Sequence, residues 1–156
     1  MKKIEDAHAK VNIKYIGRDE NGEIIYQKET HNMVCDLYYD LIADHMAGGS
    51  DTLITHGHCG TGSGQTATST NLAVPCAENR TAIDSKTQGS GGNEHKVVVV
   101  VTFGAGVCTG NLQECGLFSD ITYTTADLKL YDDTLSYDKL AGGTLEVTWT
   151  ITHANA

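Results

Sequence analysis

Glu114-Cys115-Gly116-Leu117-Phe118, read with the closing stretch Thr144-Leu145-Glu146-Val147-Thr148-Trp149-Thr150-Ile151-Thr152, decides the fold. In the closing stretch Leu145, Val147, Trp149 and Ile151 fall on one face, and Glu146, Thr148, Thr150 and Thr152 on the other. A period of two is what a half-buried strand requires. The first stretch reads as a strand end that turns at Gly116 and drops Leu117 and Phe118 together into one core. Neither stretch is a catalytic motif, and the pair predicts a building block of a β-sandwich.

Working outward, Val11 to Ile16 and Glu23 to Gln27 flank Arg18-Asp19-Glu20-Asn21-Gly22, whose Asn-Gly step is a hairpin signal. Asp36 is placed to cap a helix over 37–47, with Leu37, Leu41 and Met46 as its apolar stripe and Gly48-Gly49 as its stop. Further strands are predicted at Leu53 to Cys59, Ala77 to Ser85, Lys96 to Phe103, Val107 to Cys115 and Asp127 to Tyr131. Asp132-Asp133 and Ala141-Gly142-Gly143 bracket a loop before the last strand. Short strands at this density, with seventeen glycines and one proline, predict a mainly β, antiparallel, jelly-roll-like sandwich with one short helix. Residues 1–30 read as an N-terminal hairpin or arm and 31–156 as the sandwich, one globular domain overall. Val97, Val98, Val99, Val100 and Val101 are apolar on both strand faces, so one face needs the helix or a neighbouring subunit to cover it.

The net charge of -9 argues against binding nucleic acid through its backbone, which takes clustered basic residues. Charges crowd the first six residues, where a signal peptide would be apolar, and no run is long enough to span a bilayer. Five cysteines without paired spacing read as free thiols in a reducing compartment, used as small hydrophobes.

No motif predicts catalysis or a cofactor. Gly60-Thr61-Gly62-Ser63-Gly64 hints at a phosphate cradle but lacks the lysine and helix of a P-loop. In His56-Gly57-His58-Cys59 alternation puts the histidines on one face and Cys59 on the other, which favours a surface strand over metal ligands. Completion of a site by His31, His45 or His95 is the alternative. Arg80 and Glu114 lie among apolar neighbours and are expected to pair with each other, fixing strand register. Tyr123, Tyr131 and Tyr137 with Asp132, Asp133 and Asp138 form the candidate surface for a host glycan, under the alternative reading as an adhesin.

Three pieces in order resemble a family: Leu53-Ile54-Thr55…Gly60-Thr61-Gly62 with Thr70-Asn71-Leu72 and Glu78-Asn79-Arg80; Glu114 to Phe118; and Gly143 to Thr152. His31-Asn32-Met33-Val34 adds to the match. The succession is similar to small virion structural proteins of tailed bacteriophages and to the N-terminal attachment domain of phage tail-collar fibres. The resemblance implies a non-enzymatic capsid decoration (cement), collar or tail accessory protein. It further implies a homo-oligomer, typically a trimer, that binds the major capsid or tail/collar protein. Such a protein is made in the host bacterial cytoplasm and ends in the virion, with no membrane or nucleic-acid partner. Because the sequence stops four residues after Thr152, it is expected to coat a particle and not to continue into a fibre shaft.

Overall fold

A computed structural model describes residues 9–153. The fold is mainly β, with antiparallel sheets and one short helix, in a sandwich-like arrangement. The first eight residues of the expected arm, including the charged first six, and the last three of the expected sandwich segment lie outside the described part.

The first sheet contains β1 (Lys10–Arg18), β2 (Ile24–His31), β6 (Ser85–Gln88), β7 (Lys96–Phe103) and β12 (Thr144–Thr152), in the order β2-β1-β12-β7-β6. The second contains β3 (Met33–Val34), β4 (His56–Gly60), β5 (Thr81–Ala82), β9 (Glu114–Phe118) and β10 (Leu130–Asp132), in the order β3-β10-β9-β4-β5. A small ladder joins β8 (Gly110–Leu112) to β11 (Tyr137–Lys139), the latter inside the stretch expected to be loop.

β12 lies at the centre of the first sheet, paired along its whole length with β1 and over eight residues with β7. Its alternation holds throughout: Leu145, Val147, Trp149 and Ile151 are buried while the residues between them are half-buried. The N-terminal hairpin forms, with the Asp19 side chain accepting from the backbone N–H of Asn21 and Glu23 across its turn. It is not an arm. Val11, Ile13 and Tyr15 of β1 are core residues, and β1 is an interior strand.

Between the sheets lies the main core, built from Val11, Ile13, Tyr15, Val99, Val101, Phe103 and the β12 residues against Cys59, Cys115, Leu117 and Leu130. The second sheet has a further core on its other side, where Cys35, Leu72, Phe118, Leu128 and Tyr131 pack beneath the 61–80 and 119–129 loops. The second sheet is therefore a middle layer, and every residue of β9 is buried. This corrects the single-core reading of Glu114 to Phe118. Successive side chains of a strand point oppositely, so Leu117 enters the main core and Phe118 the outer one. Gly116 is no sharp turn but a mid-strand residue with no space for a side chain. A Cβ there would lie 2.6 Å from Leu128 Cδ1 and 3.1 Å from Leu130 O.

Helix α1 spans Asp36–Met46, with Cys35, not Asp36, at the N-cap position. Its buried residues are Tyr38 and Leu41, while Met46, expected in the stripe, is exposed. The helix closes one end of the sandwich, leaving an apolar crevice of 380 Å³ between Tyr38, Leu41, Ile42, Leu53, Val97 and Ile151. Strand limits depart from expectation where polar residues cross loops. Leu53 to Thr55 precede β4, Ala77 to Ser85 yields only the two-residue β5 and the start of β6, and 104–109 is loop.

Candidate functional site

The second sheet carries three polar clusters, two on its outer side beneath the 61–80 loop and a third where that loop meets the main core. Glu114, at the start of β9, is fully buried. Its Oε1 accepts from the backbone N–H of Gly62 (3.1 Å) and Val74 (2.8 Å), and its Oε2 from Ala73 N–H (2.9 Å) and the Tyr131 hydroxyl (3.1 Å). Gly60 and Gly62 permit this approach, since a Cβ at either would stand 2.5 or 3.0 Å from Glu114 Oε1. The glycine-rich loop is thus an anion cradle, as its composition hinted, but the anion is the protein's own carboxylate.

Arg80 is buried over the other end of β9. Its Cζ sits 3.6 Å from the Phe118 ring centroid, a cation–π contact. Nη1 donates to Asp120 O (3.0 Å), and Nη2 to Thr125 O (2.6 Å) and Asn71 Oδ1 (3.3 Å). Burial lowers its pKa, and the charges of Asp127 and Asp120 offset part of that. The expected Arg80–Glu114 pair does not form. Each group has its own partners, and Phe118 and Glu114 are four residues apart along one strand, about 13 Å at strand rise. Both residues pin the roof loops to the sheet, Glu114 through 62–74 and Arg80 through 71 and 120–125.

The third cluster was not legible as a unit in the sequence. His58 on β4 is buried, so the surface-strand reading of its segment is wrong. Its Nε2 lies 3.0 Å from Cys76 O. A carbonyl oxygen only accepts, so Nε2 carries a proton; Nδ1 then presents a lone pair in the neutral ring and a second N–H in the imidazolium. Nδ1 stands 3.8 Å from Cys108 Sγ. Cys76 Sγ, Cys108 Sγ and a Glu78 carboxylate oxygen lie within 4.8 Å of one another. His31, His45 and His95 take no part; His31, for example, bonds Asn12 on the first sheet.

Cys108 has φ 45°, among the described residues the one non-glycine position with positive φ. Its thiol is pulled down to about 6, first by the hydrogen bond from the Cys76 thiol and then by His58, against the opposing effect of burial. Cys76 is raised in turn, as the donor to Cys108. The buried Lys139 ammonium donates to Gly104 O (2.8 Å), and Cys108, Cys59, Cys76 and Glu78 counter the lowering of its pKa by burial. All five cysteines are free thiols, and Cys35 behaves as a small hydrophobe, pushed up to about 11 by burial.

The glycan candidates do not form a platform. Tyr131 and Tyr137 are buried, the former bonded to Glu114 and the latter stacked on Tyr26 at 5.0 Å. Asp132 is buried and accepts from the Tyr15 hydroxyl at 2.6 Å. That leaves Tyr123, Asp133 and Asp138, without the aromatic surface a sugar ring stacks on.

The Val97–Val101 run divides between two environments. Val99 and Val101 are in the main core, Val97 borders the crevice beneath α1, and Val98 and Val100 face outward, half-buried. No family model, curated protein or solved structure matches this chain.

Proposed function

We propose that this chain is a non-enzymatic structural subunit of a tailed-bacteriophage particle. It self-associates, as a trimer or similar ring, and docks on the major capsid protein or a tail or collar protein as a decoration or accessory component of the virion. The observation that carries this reading is the outer face of the first sheet. Two cross-strand rows, Thr87–Val98–Thr150–Asn12 and Ser85–Val100–Thr148–Lys14, set valine methyls among the hydroxyl side chains of Ser85, Thr87, Thr148 and Thr150, with Asn12 and Lys14 at the β1 end. Short and β-branched side chains lose little rotamer freedom when covered, so such a face suits a second copy. The polar clusters of the other sheet are spent on holding its own roof loops. The order of motifs in the sequence supports the phage assignment.

Light scattering on the purified chain should give a discrete oligomer, and Val98→Glu with Val100→Glu should convert it to a folded monomer. A wild-type monomer, or an oligomer indifferent to both changes, overturns self-association through this face. Imaging particles with and without the protein tests docking, and identical particles overturn it.

A further inference from the structure

We infer that Cys76, Glu78, Cys108 and His58 form a four-ligand site for a structural zinc ion that staples the 61–80 loop and the 104–109 loop to β4. The donor set is two sulfurs, an imidazole nitrogen and a carboxylate, the mixture that suits a borderline-soft, tetrahedral ion. The spacing is close. With Zn–S near 2.3 Å and Zn–N near 2.0 Å, tetrahedral angles put sulfur and nitrogen ligands about 3.5 Å apart. The two sulfurs and the Glu78 oxygen lie within 4.8 Å of each other; His58 Nδ1 is 3.8 Å from Cys108 Sγ but beyond 4.8 Å from at least one of the other two donors, so binding must draw the ring in by that margin.

The surroundings are those of a metal ligand. A ligating histidine commonly donates its second ring N–H to a backbone carbonyl, which fixes the tautomer and aims the other nitrogen. His58 does this to Cys76 O, the carbonyl of another member of the set. Two thiolates, a carboxylate and a divalent cation leave one negative charge. Lys139, whose ammonium faces the same residues and makes no ion pair among the described residues, supplies the balancing positive charge. Cys108 holds its left-handed backbone between Gly106 and Gly110, and strain in a non-glycine residue of this kind gathers at ligand sites. Cys108 is buried, Cys76 is half-buried and Glu78 is exposed, so an ion can enter from the Glu78 side. Four protein ligands leave no open position, which marks the site as structural and not catalytic.

The test uses the full chain, kept reduced and free of oxygen, reconstituted with zinc or with cobalt as a spectroscopic substitute. One equivalent of zinc per chain is expected. The cobalt form should show thiolate charge-transfer absorption and the strong visible bands of a tetrahedral site. Chelation should lower Tm by roughly 5–10 °C. Cys76→Ser, Cys108→Ser and His58→Asn should each weaken binding at least tenfold, while Cys35→Ser, in the other core, should bind normally. Circular dichroism separates loss of metal from loss of fold, and the wild-type measurements decide the matter if a variant fails to fold. No zinc on folded wild-type chain overturns the inference. So does cobalt without thiolate bands, binding that survives in folded Cys76→Ser/Cys108→Ser, or a Cys76–Cys108 disulfide formed in preference to zinc binding.

Discussion

Replacing Glu114 by glutamine removes one charge and almost no volume, so it isolates what the buried carboxylate contributes. Three of its four hydrogen bonds come from backbone N–H groups, which cannot reverse their role, and the fourth from a hydroxyl, which can. The glutamine carbonyl therefore takes the Oε1 place, facing Gly62 and Val74. Its NH2 takes the Oε2 place, with the Tyr131 hydroxyl turning to accept from it. Ala73 N–H is left facing a donor. Two bonds fall from charge-assisted to neutral strength, about 1 kcal/mol each, and one donor goes unsatisfied, about 1–3 kcal/mol. Relief from burying a charge offsets part of this. The net expectation is a loss of about 2–4 kcal/mol, or roughly 5–15 °C in Tm for a chain of this size. Urea midpoints would measure it, with Glu146→Gln on the outer face of β12 as a control expected within about 0.5 kcal/mol of wild type. Hydrogen exchange adds a local readout, in which the Ala73 amide should gain most. A Glu114→Gln protein as stable as the control, with Ala73 still protected, would refute the cradle.

Asp132 gives a dependence on pH. Burial raises its pKa, against the lowering effects of its hydrogen bonds from Tyr15 and Thr134. Since the folded value lies above the unfolded one, the folded state holds the proton more tightly. This contribution to stability is present at low pH and falls away as pH rises from the unfolded carboxylate value to the raised one. Urea midpoints across that window should show wild type losing ground to Asp132→Asn as pH rises; a constant or opposite difference contradicts the assignment. Removing Met1 to Lys28 should abolish cooperative unfolding, because it strips β1 from β12 and removes Val11, Ile13 and Tyr15, together worth about 5–8 kcal/mol, from the core. A truncated chain that melts as wild type does would show that β1 is not integral.

The strictly alternating β12 was readable because one face is buried and the other open, and that contrast writes a period of two into the residue types. The hairpin was readable from its turn residues for a similarly local reason. In β9 the signal fails. With a core on each side, alternation disappears, and only the folded chain shows that Leu117 and Phe118 serve different layers. Glu114 and Arg80 were picked out correctly as charges in apolar company, but their partners are backbone groups, which no residue type announces. His58 was visible as a metal-ligand type, yet Cys76, Glu78 and Cys108 come from distant segments that share no spacing. By itself, then, the sequence determined the sheet class, the last strand and the hairpin, all products of local pattern and burial. The middle-layer position of the second sheet, the filling of the glycine loop by Glu114 and the convergence on Cys108 were decided by tertiary structure, because each depends on which distant segments the two cores bring into contact.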